Sequence, residues 1–287
     1  MLLIDFGQII IANAFYMKKN DVNIYYSTKE QTLYHLVFNR LREIRNKFPS
    51  SEYGELVICC DAKNYWRKEI FPQYKSKREG MRDKDKETWE MISKQKIIIE
   101  NIIAENFPYR VLKIDRLEAD DIIAALIKRF YNYRHMIVSS DGDHIQLQKY
   151  SDVQQYCPRK NTFLKAEMPI DQFIQEHIIE GDSSDSIMNI KMPDNTFIDG
   201  IRQKSITKVF KEQVRNAEKL SDVLTEEELK NYERNRNLVD YDCIPIDILK
   251  MVLMEYRTIE IQGNKEKIMK YFILHGYRML FDSISDY

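Results

Sequence analysis

Short apolar runs alternate with longer stretches of mixed polarity through the first half of this chain. Residues 2–4, 56–60 and 136–138 are apolar on both faces, and 111–114 is apolar but for Lys113, the pattern of strands buried in a parallel sheet. Between them apolar residues recur at helical spacing: Leu33, Leu36, Val37, Leu41 and Ile44 within residues 32–45, with similar patterns over residues 89–103 and 120–130. Strands alternating with helices predict an α/β fold, a mostly parallel central sheet flanked by helices with right-handed crossovers. Residues 152–165 read as a hairpin around a Pro-Arg-Lys-Asn turn, an antiparallel edge. Past residue 168 the strand signals largely cease. Residues 169–181 predict a helix stopped by Gly181, and the remainder reads as mostly helical. The expected layout is an α/β core over residues 1–180 with a helical region, residues 181–287, packed against it.

Composition narrows the class only a little. The 287 residues are 31% charged and 44% hydrophobic, ordinary for a soluble protein, and no apolar run approaches the roughly 18 to 20 residues that span a membrane. The opening "MLLIDFGQIIIANAF" lacks the basic start of a signal peptide and is interrupted by Asp5, so it reads as a strand entering a helix, a fold that starts without a leader. Cys59, Cys60, Cys157 and Cys243 show no zinc-ligand spacing. The adjacent pair points to opposite faces of its strand, so these are expected to be core residues in a reducing cytosol. A formal net charge of −1 excludes a uniformly basic nucleic-acid binder, but not one whose charges are segregated.

The charges are segregated. Each predicted parallel strand leads into acid: Asp5, Asp61, then Glu118, Asp120 and Asp121 at the start of a helix, then Asp141 and Asp143. The carboxyl ends of parallel strands share one edge, where open α/β sheets bind ligands. Crowded carboxylates raise each other's pKa, and divalent cations relieve that cost, with oxygen ligation suiting Mg²⁺ or Mn²⁺. Asp182 and Asp185 follow a helix end and supply a second metal position. Two ions about 4 Å apart suit in-line attack on a phosphodiester. Taken singly, Asp5 and Asp61 read as solvated strand ends, the Glu118–Asp121 acids as helix first-turn acids, and Asp-Gly-Asp as a calcium loop without its closing Glu. Gly142 is expected to let the backbone turn so that both flanking aspartates face the edge. His144 reads either as an outer-shell group or as a surface histidine.

Residues 63–86 hold nine Lys or Arg against four acids (Glu69, Glu79, Asp83, Asp85), with Tyr65, Trp66, Phe71 and Tyr74 interleaved. Such a run is either a solvated loop or a single-strand channel in which cations follow the backbone and aromatics stack on bases. Its departure from the acidic edge favours the channel.

In this order the pieces resemble the 5′ nuclease or flap endonuclease family over nearly the whole chain. The family's strand-end aspartates look like Asp5 and Asp61. Its Arg–Tyr–Lys–Arg segment resembles "RKEIFPQYKSKR" with Arg67, Tyr74, Lys75 and Arg78 in the matching places. "EADD", "SSDGD" and "GDSSDSI" resemble its later acidic motifs, and "ERNRNLVDYDCIP" a later stretch. The resemblance implies a PIN-like 5′ nuclease core with residues 63–86 as a helical arch or bridge. It implies a Mg²⁺-dependent 5′→3′ exonuclease and flap endonuclease with ribonuclease H activity, which removes RNA primers and 5′ flaps during lagging-strand DNA replication. Two Mg²⁺ ions, replaceable by Mn²⁺, would be bound by Asp5, Asp61, Glu118, Asp120, Asp121, Asp141, Asp143, Asp182 and Asp185. Lys75 and Arg78 would contact the scissile or adjacent phosphate, Tyr74 would stack on a base, and Arg67 and Lys77 would complete the nucleic-acid contacts. Substrates would be DNA with 5′ flaps or ends and RNA–DNA hybrids. Partners would be a replication clamp and a single-strand DNA-binding protein, the protein being a monomer in the cytoplasm (the host's, if phage-encoded).

One departure from the family pattern is the near absence of glycine after "GDSSDSI", where Gly200 stands alone before Lys204. The glycine-rich hairpin that grips duplex phosphates is altered. Lys204, Ser205 and Lys208, near a helix start at Ser205, either replace its phosphate contacts or belong to an ordinary capped surface helix. Two rival classes fit part of the pattern: a PIN-type ribonuclease, which would lack the arch and the Asp182/Asp185 pair, and a non-catalytic DNA-binding factor, which would have lost carboxylates. The terminal "MLFDSISDY" either docks a partner or packs as a last helical turn.

Overall fold

Six strands form one sheet: β1 (Leu2–Asp5), β2 (Leu56–Cys60), β3 (Arg110–Lys113), β4 (His135–Val138), β5 (Val153–Cys157) and β6 (Thr162–Leu164). The computed structural model describes residues 1–20, 26 and 28–287, and the side chains of residues 79 and 81, Glu79 of the basic connector among them, lie outside that description. Strand order is β3-β2-β1-β4-β5-β6. The first five strands run parallel, and β6 is antiparallel to β5. The hairpin expected over residues 152–165 is therefore only half an antiparallel edge: its first strand continues the parallel sheet beside β4. The chain steps outward from β1 to β3, then returns to lay β4 on the other side of β1. That reversal opens a crevice between the carboxyl ends of β1 and β4, the place where such sheets bind ligands.

Both sheet faces are covered. Leu2, Ile4, Ile58, Cys60, Met136 and Val138 pack with helices Phe6–Asn20, Lys29–Lys47 and Lys86–Asn106 on one face, while Leu3, Val57, Cys59, Leu112 and Ile137 meet helix Ala119–Arg129 on the other. Cys59 and Cys60 thus lie on opposite faces, and all four cysteines are free thiols. β1, β2 and β4 are buried at every position, which explains why they carry no polar alternation.

Residues from the second half join both cores: Ile268, Phe272, Tyr277 and Leu280 the first, Tyr241, Ile244, Ile248 and Val252 the second. A third cluster sets Phe71 and Tyr74 against Ile178, Ile179, Ile187, Met188, Val214 and Leu238. The terminal segment packs rather than projects. Leu280 is buried, the Tyr287 hydroxyl donates to the Phe38 carbonyl at 3.2 Å, and Asp286 pairs with Arg42 at 3.1 Å. Among the described residues no helix is long and apolar enough to cross a membrane.

Two helix expectations change. Residues 182–207 form turns and extended chain instead of helix. Helix Lys208–Asn216 starts after Thr207, whose hydroxyl accepts from the Phe210 N–H at 3.2 Å, so Thr207 is the cap and Ser205 lies outside the helix. Helix Ile170–Glu180 ends at Gly181 as expected.

Gly181 has φ 68°, and a Cβ there would lie 2.5 Å from the carbonyl oxygens of Ile187 and Met188. Gly181→Ala should therefore cost more than about 2 kcal/mol through combined strain and overlap, read as a lower midpoint in urea unfolding. A midpoint within error of the parent would show that this turn does not place Asp182.

Candidate active site

At the β1–β4 crevice the stretch Ser139–Asp143 closes on β1. Ser139 Oγ donates to Asp5 Oδ2 at 2.9 Å and accepts from the Asp141 N–H at 3.0 Å. Asp141 Oδ1 in turn accepts from the Asp143 N–H at 3.0 Å. The turn that carries the two aspartates is thus made by the Asp141 carboxylate. Gly142 does not adopt a left-handed φ and has open space where a Cβ would stand, so the glycine's freedom is not what bends the chain. From the neighbouring strand, Gln155 Nε2 donates to the carbonyls of Ser139 and Asp141 at 3.1 and 2.6 Å.

The nine acids divide by the company they keep. Asp61 accepts from the Ala119 N–H at 3.0 Å and from Lys96 Nζ at 3.1 Å. Glu118 caps helix Ala119–Arg129 in a reciprocal box with Asp121. It is held from behind by Arg67 at 3.0 Å, by the Tyr74 hydroxyl at 3.0 Å and by Lys75. Asp121, fully buried, pairs with Arg67 at 2.8 Å and accepts from Trp66 Nε1 at 3.0 Å. Asp185 meets Arg78, Lys75 at 3.4 Å and the Tyr74 hydroxyl at 3.0 Å. Asp120 stands 3.2 Å from His144 Nε2. Asp5, Asp141, Asp143 and Asp182 have no Lys or Arg partner among the described residues within ion-pair distance.

Electrostatics follows this division. Burial, with Asp120 and Asp61 close by, pushes Asp5 up to about 8. Burial and carboxylate neighbours also raise Asp141 and Asp143, the latter well above the usual range. Burial would raise Asp120 too, but the contact with His144 and its charge hold that carboxyl below the ordinary value. Burial would discharge His144, yet Asp120, Asp141 and Asp5 push it up to about 9. His144 is therefore not a surface residue: it is completely buried, and the carboxylates around it favour its charged form opposite Asp120.

Two groups of side chains offer donor atoms within 4.8 Å of one another, Asp5 with Asp120 and His144, and Asp143 with His177 and Asp182. The Nε2 atoms of His144 and His177 are buried without an aligned hydrogen-bond partner among the described residues. Carboxylates gathered in this way fit a divalent cation, and His177 adds a nitrogen donor to what reads in sequence as all-oxygen ligation, whereas His144, while it carries the charge that answers Asp120, has no lone pair to offer. Sequence reasoning passed over His177 and Lys96. His177 lies one helical turn before Gly181, so a helix ending there sets it beside Asp182 (its Nε2 is 3.6 Å from Asp143), and that spacing was available as a signal. Lys96 carried none, because it lies on a helix 35 residues from the aspartate it meets.

The basic connector departs most from expectation. Trp66, Arg67, Phe71 and Tyr74 are all 3–4% exposed, so none of these three rings is free for base stacking and the Arg67 guanidinium is not free for phosphate, while Tyr65 is half-buried. Arg67 also donates from Nε to the Leu238 carbonyl at 2.9 Å, and thereby ties the acidic edge to the second half of the chain. Tyr74 presents its hydroxyl to two acids while its ring meets Tyr65 edge-on at 6.2 Å. Lys75 is buried beside them, Arg78 is partly exposed, and Lys77 lies over the Phe197 ring at 3.5 Å. Lys208 is exposed on the first turn of its helix, Ser205 is exposed outside it, and the Lys204 carbonyl accepts from Asn189 at 2.8 Å.

A carboxyl raised from its ordinary range to about 8 binds a proton in the folded state that the unfolded chain has released. That stability is present at low pH and is lost as pH rises through the folded value. His144, raised to about 9, acts in the same direction. Metal-free protein should therefore lose stability from pH 5 to about 9, and Asp5→Asn should flatten the profile and gain on the order of 2 kcal/mol at the alkaline end. Urea unfolding in a chelator across that range checks this, and a parent profile that rises with pH would refute the assignment.

Likeness to known proteins extends over the whole chain. The family model described as the 5′-3′ exonuclease N-terminal resolvase-like domain matches residues 1–176, and that described as the T4 RNase H C-terminal region matches residues 166–287. Ribonuclease H of Enterobacteria phage T4 is 32% identical, over 99% of this chain and 95% of its own length. Among solved structures, bacteriophage T5 5′-exonuclease with divalent zinc ions bound superposes with a TM-score of 0.63 at 18% identity, covering 91% of this chain and 99% of that one. The T5 flap endonuclease in a pseudo-enzyme–product complex with DNA and metal ions gives 0.60 at 17% identity, covering 89% and 97%. These likenesses agree with the fold and with the chemistry of its acidic edge: the chain belongs to the 5′-3′ exonuclease family and is a metal-dependent nuclease.

Proposed function

We propose that this protein is a Mg²⁺-dependent 5′→3′ exonuclease and flap endonuclease with ribonuclease H activity, able to use Mn²⁺, which removes RNA primers and 5′ flaps during lagging-strand DNA replication. The observation that carries the reading is the convergence of nine carboxylates on one sheet edge in a chain that resembles a phage ribonuclease H from end to end. Two divalent ions, when bound, supply charge neutralisation at the phosphodiester and a more acidic water.

The chain's own residues do the rest. Asp5, Asp141, Asp143 and Asp182, which lack Lys or Arg partners, hold the ions with His144 and His177 beside them, and Asp61, Glu118, Asp120, Asp121 and Asp185 complete the negative edge. Arg78, partly exposed where the connector leaves the edge, and Lys75, buried between Glu118 and Asp185 behind it, hold the scissile or adjacent phosphate. Arg67 and Tyr74, buried behind Glu118, keep that acid in place instead of touching nucleic acid. Half-buried Lys77 and exposed Lys204, Ser205 and Lys208 contribute sequence-independent phosphate contacts to the flanking strand.

Such a protein takes DNA with 5′ flaps or ends and RNA–DNA hybrids. It works as a monomer with a replication clamp and a single-strand DNA-binding protein, and the phage origin of the relative supports the host cytoplasm as its setting. The test is a Mg²⁺ titration with nicked, 5′-flapped and RNA-primed duplexes. Cleavage from the 5′ side is expected, and Asp141→Asn should lower it by about 10²-fold or more while duplex binding in a mobility shift persists. Substrates left intact at every Mg²⁺ concentration would sink the proposal.

A further inference from the structure

One of the nine acids is held by a cation that neither the basic connector nor a strand-end motif supplies. Lys96, on helix Lys86–Asn106, places its ammonium 3.1 Å from Asp61 Oδ2 and 3.8 Å from Glu100 Oε1 one turn further on. Glu100 is buried at 3% exposure, and its other oxygen lies 2.6 Å from Lys113 on β3. A ladder of alternating charge thus runs from β3 to the acidic edge: Lys113, Glu100, Lys96, Asp61. The far end of that ladder is tightly packed. Asp61 Oδ1 is taken by the Ala119 N–H. A Cβ at Gly7 would stand 2.9 Å from Asp61 Oδ2 and 3.9 Å from Lys96 Nζ. Carboxylate and ammonium therefore meet against the first turn of helix Phe6–Asn20, with little room to separate.

The two groups of side chains able to surround an ion do not include Asp61. Its charge is already answered by Lys96. A divalent cation drawn to this edge meets in Lys96 a fixed charge of its own sign, screened little because the side chain is only one-fifth exposed. Glu100 acts in the opposite direction, since it shares the ammonium with Asp61 and draws part of its field away from the edge.

We propose that Lys96 is a resident counter-ion that sets how tightly the acidic edge binds its divalent cation, and that Glu100 sets the strength of Lys96. The inference deepens the reading of this edge as a divalent-cation site and rests on it. It makes two substitutions on one helix, four residues apart, act in opposite directions. Lys96→Met leaves Asp61 uncompensated and should bind the ion more tightly. Glu100→Gln leaves the whole charge of Lys96 on Asp61 and should bind it less tightly. A side chain that only packs the helix has no reason to give opposite signs.

The experiment uses the full chain with MgCl₂ alone and no nucleic acid, and follows the rise in melting temperature with Mg²⁺ together with the calorimetric binding midpoint. Lys96→Met should lower the half-saturating Mg²⁺ concentration by about 3- to 30-fold. Lys96→Arg, which keeps the charge, should stay within about twofold of the parent, and Glu100→Gln should raise the midpoint. Variants that melt at a lower temperature without Mg²⁺ but share the parent's midpoint, or that all move it in one direction, overturn the proposal. Should Lys96→Met fail to fold, Glu100→Gln decides alone, because an unchanged or lower midpoint contradicts the same argument. A parent protein with no response to Mg²⁺ overturns the cation reading of the edge, and this inference with it. That outcome is distinct from a responsive parent whose variants do not differ.

Discussion

Nine carboxylates gathered on one sheet edge must be given counter-charge, and the rest of this structure is arranged around that need. Parallel strands leave no choice about the gathering, since their carboxyl ends share an edge and the β1–β4 reversal opens it as a crevice. Compensation is divided. Asp61 receives Lys96, Glu118 receives Lys75 and Arg67, Asp121 receives Arg67, Asp185 receives Arg78, and Asp120 receives His144. Asp5, Asp141 and Asp143 receive no Lys or Arg among the described residues, and these are carboxyls that burial and their neighbours push upward. The protein thus answers part of the edge by itself and leaves an unfilled demand for positive charge at the crevice. Buried ion pairs recover little net energy after desolvation, and Asp61, Glu118, Asp121 and Asp185 each also accept from a backbone amide, an indole or a phenol, whereas Asp120 has His144 alone among the described residues.

This demand explains the connector. Its lysines and arginines serve the edge only if the chain between them is pinned beneath it, and the aromatics do the pinning. Trp66 enters the core on one sheet face, while Phe71 and Tyr74 enter the cluster shared with residues of the second half. The backbone is stitched to the loop that carries Asp182 and Asp185: the Lys75 N–H donates to the Asp185 carbonyl at 2.8 Å, and the Lys77 N–H to Ser186 Oγ at 3.0 Å. Lys75 and Ser186 both hold left-handed backbone, with φ of 61° and 63°, a conformation that costs a side-chain-bearing residue energy unless its surroundings impose it. Two such residues joined across one seam indicate that connector and loop are shaped by each other.

The strand ends were legible in the sequence because an apolar run followed by acid has one economical explanation in an α/β chain, and Asp5, Asp61, Asp141 and Asp143 follow directly from it. The connector was legible as charge but not as architecture. A tryptophan or tyrosine between lysines has the same local signature whether it stacks on a base or anchors a loop. What decides between the two is distant apolar surface: Leu117 and Ile244 for Trp66, and Ile178, Met188 and Leu238, more than a hundred residues away, for Tyr74. The same holds for the counter-charges. Arg67 reaches Glu118 across 51 positions and Lys96 reaches Asp61 across 35, and no local rule pairs them. Even the turn at Asp141 shows the limit. Asp-Gly-Asp suggests that the glycine bends the chain, whereas the aspartate's own carboxylate closes the turn on the Asp143 N–H. A carboxylate bound to its own backbone in this way has one oxygen committed to the turn and its rotation restricted. The stretch therefore orients its charge before any ion arrives, and the energetic cost of doing so is spread over Ser139, Gln155 and the burial of β4, not concentrated in a strained residue.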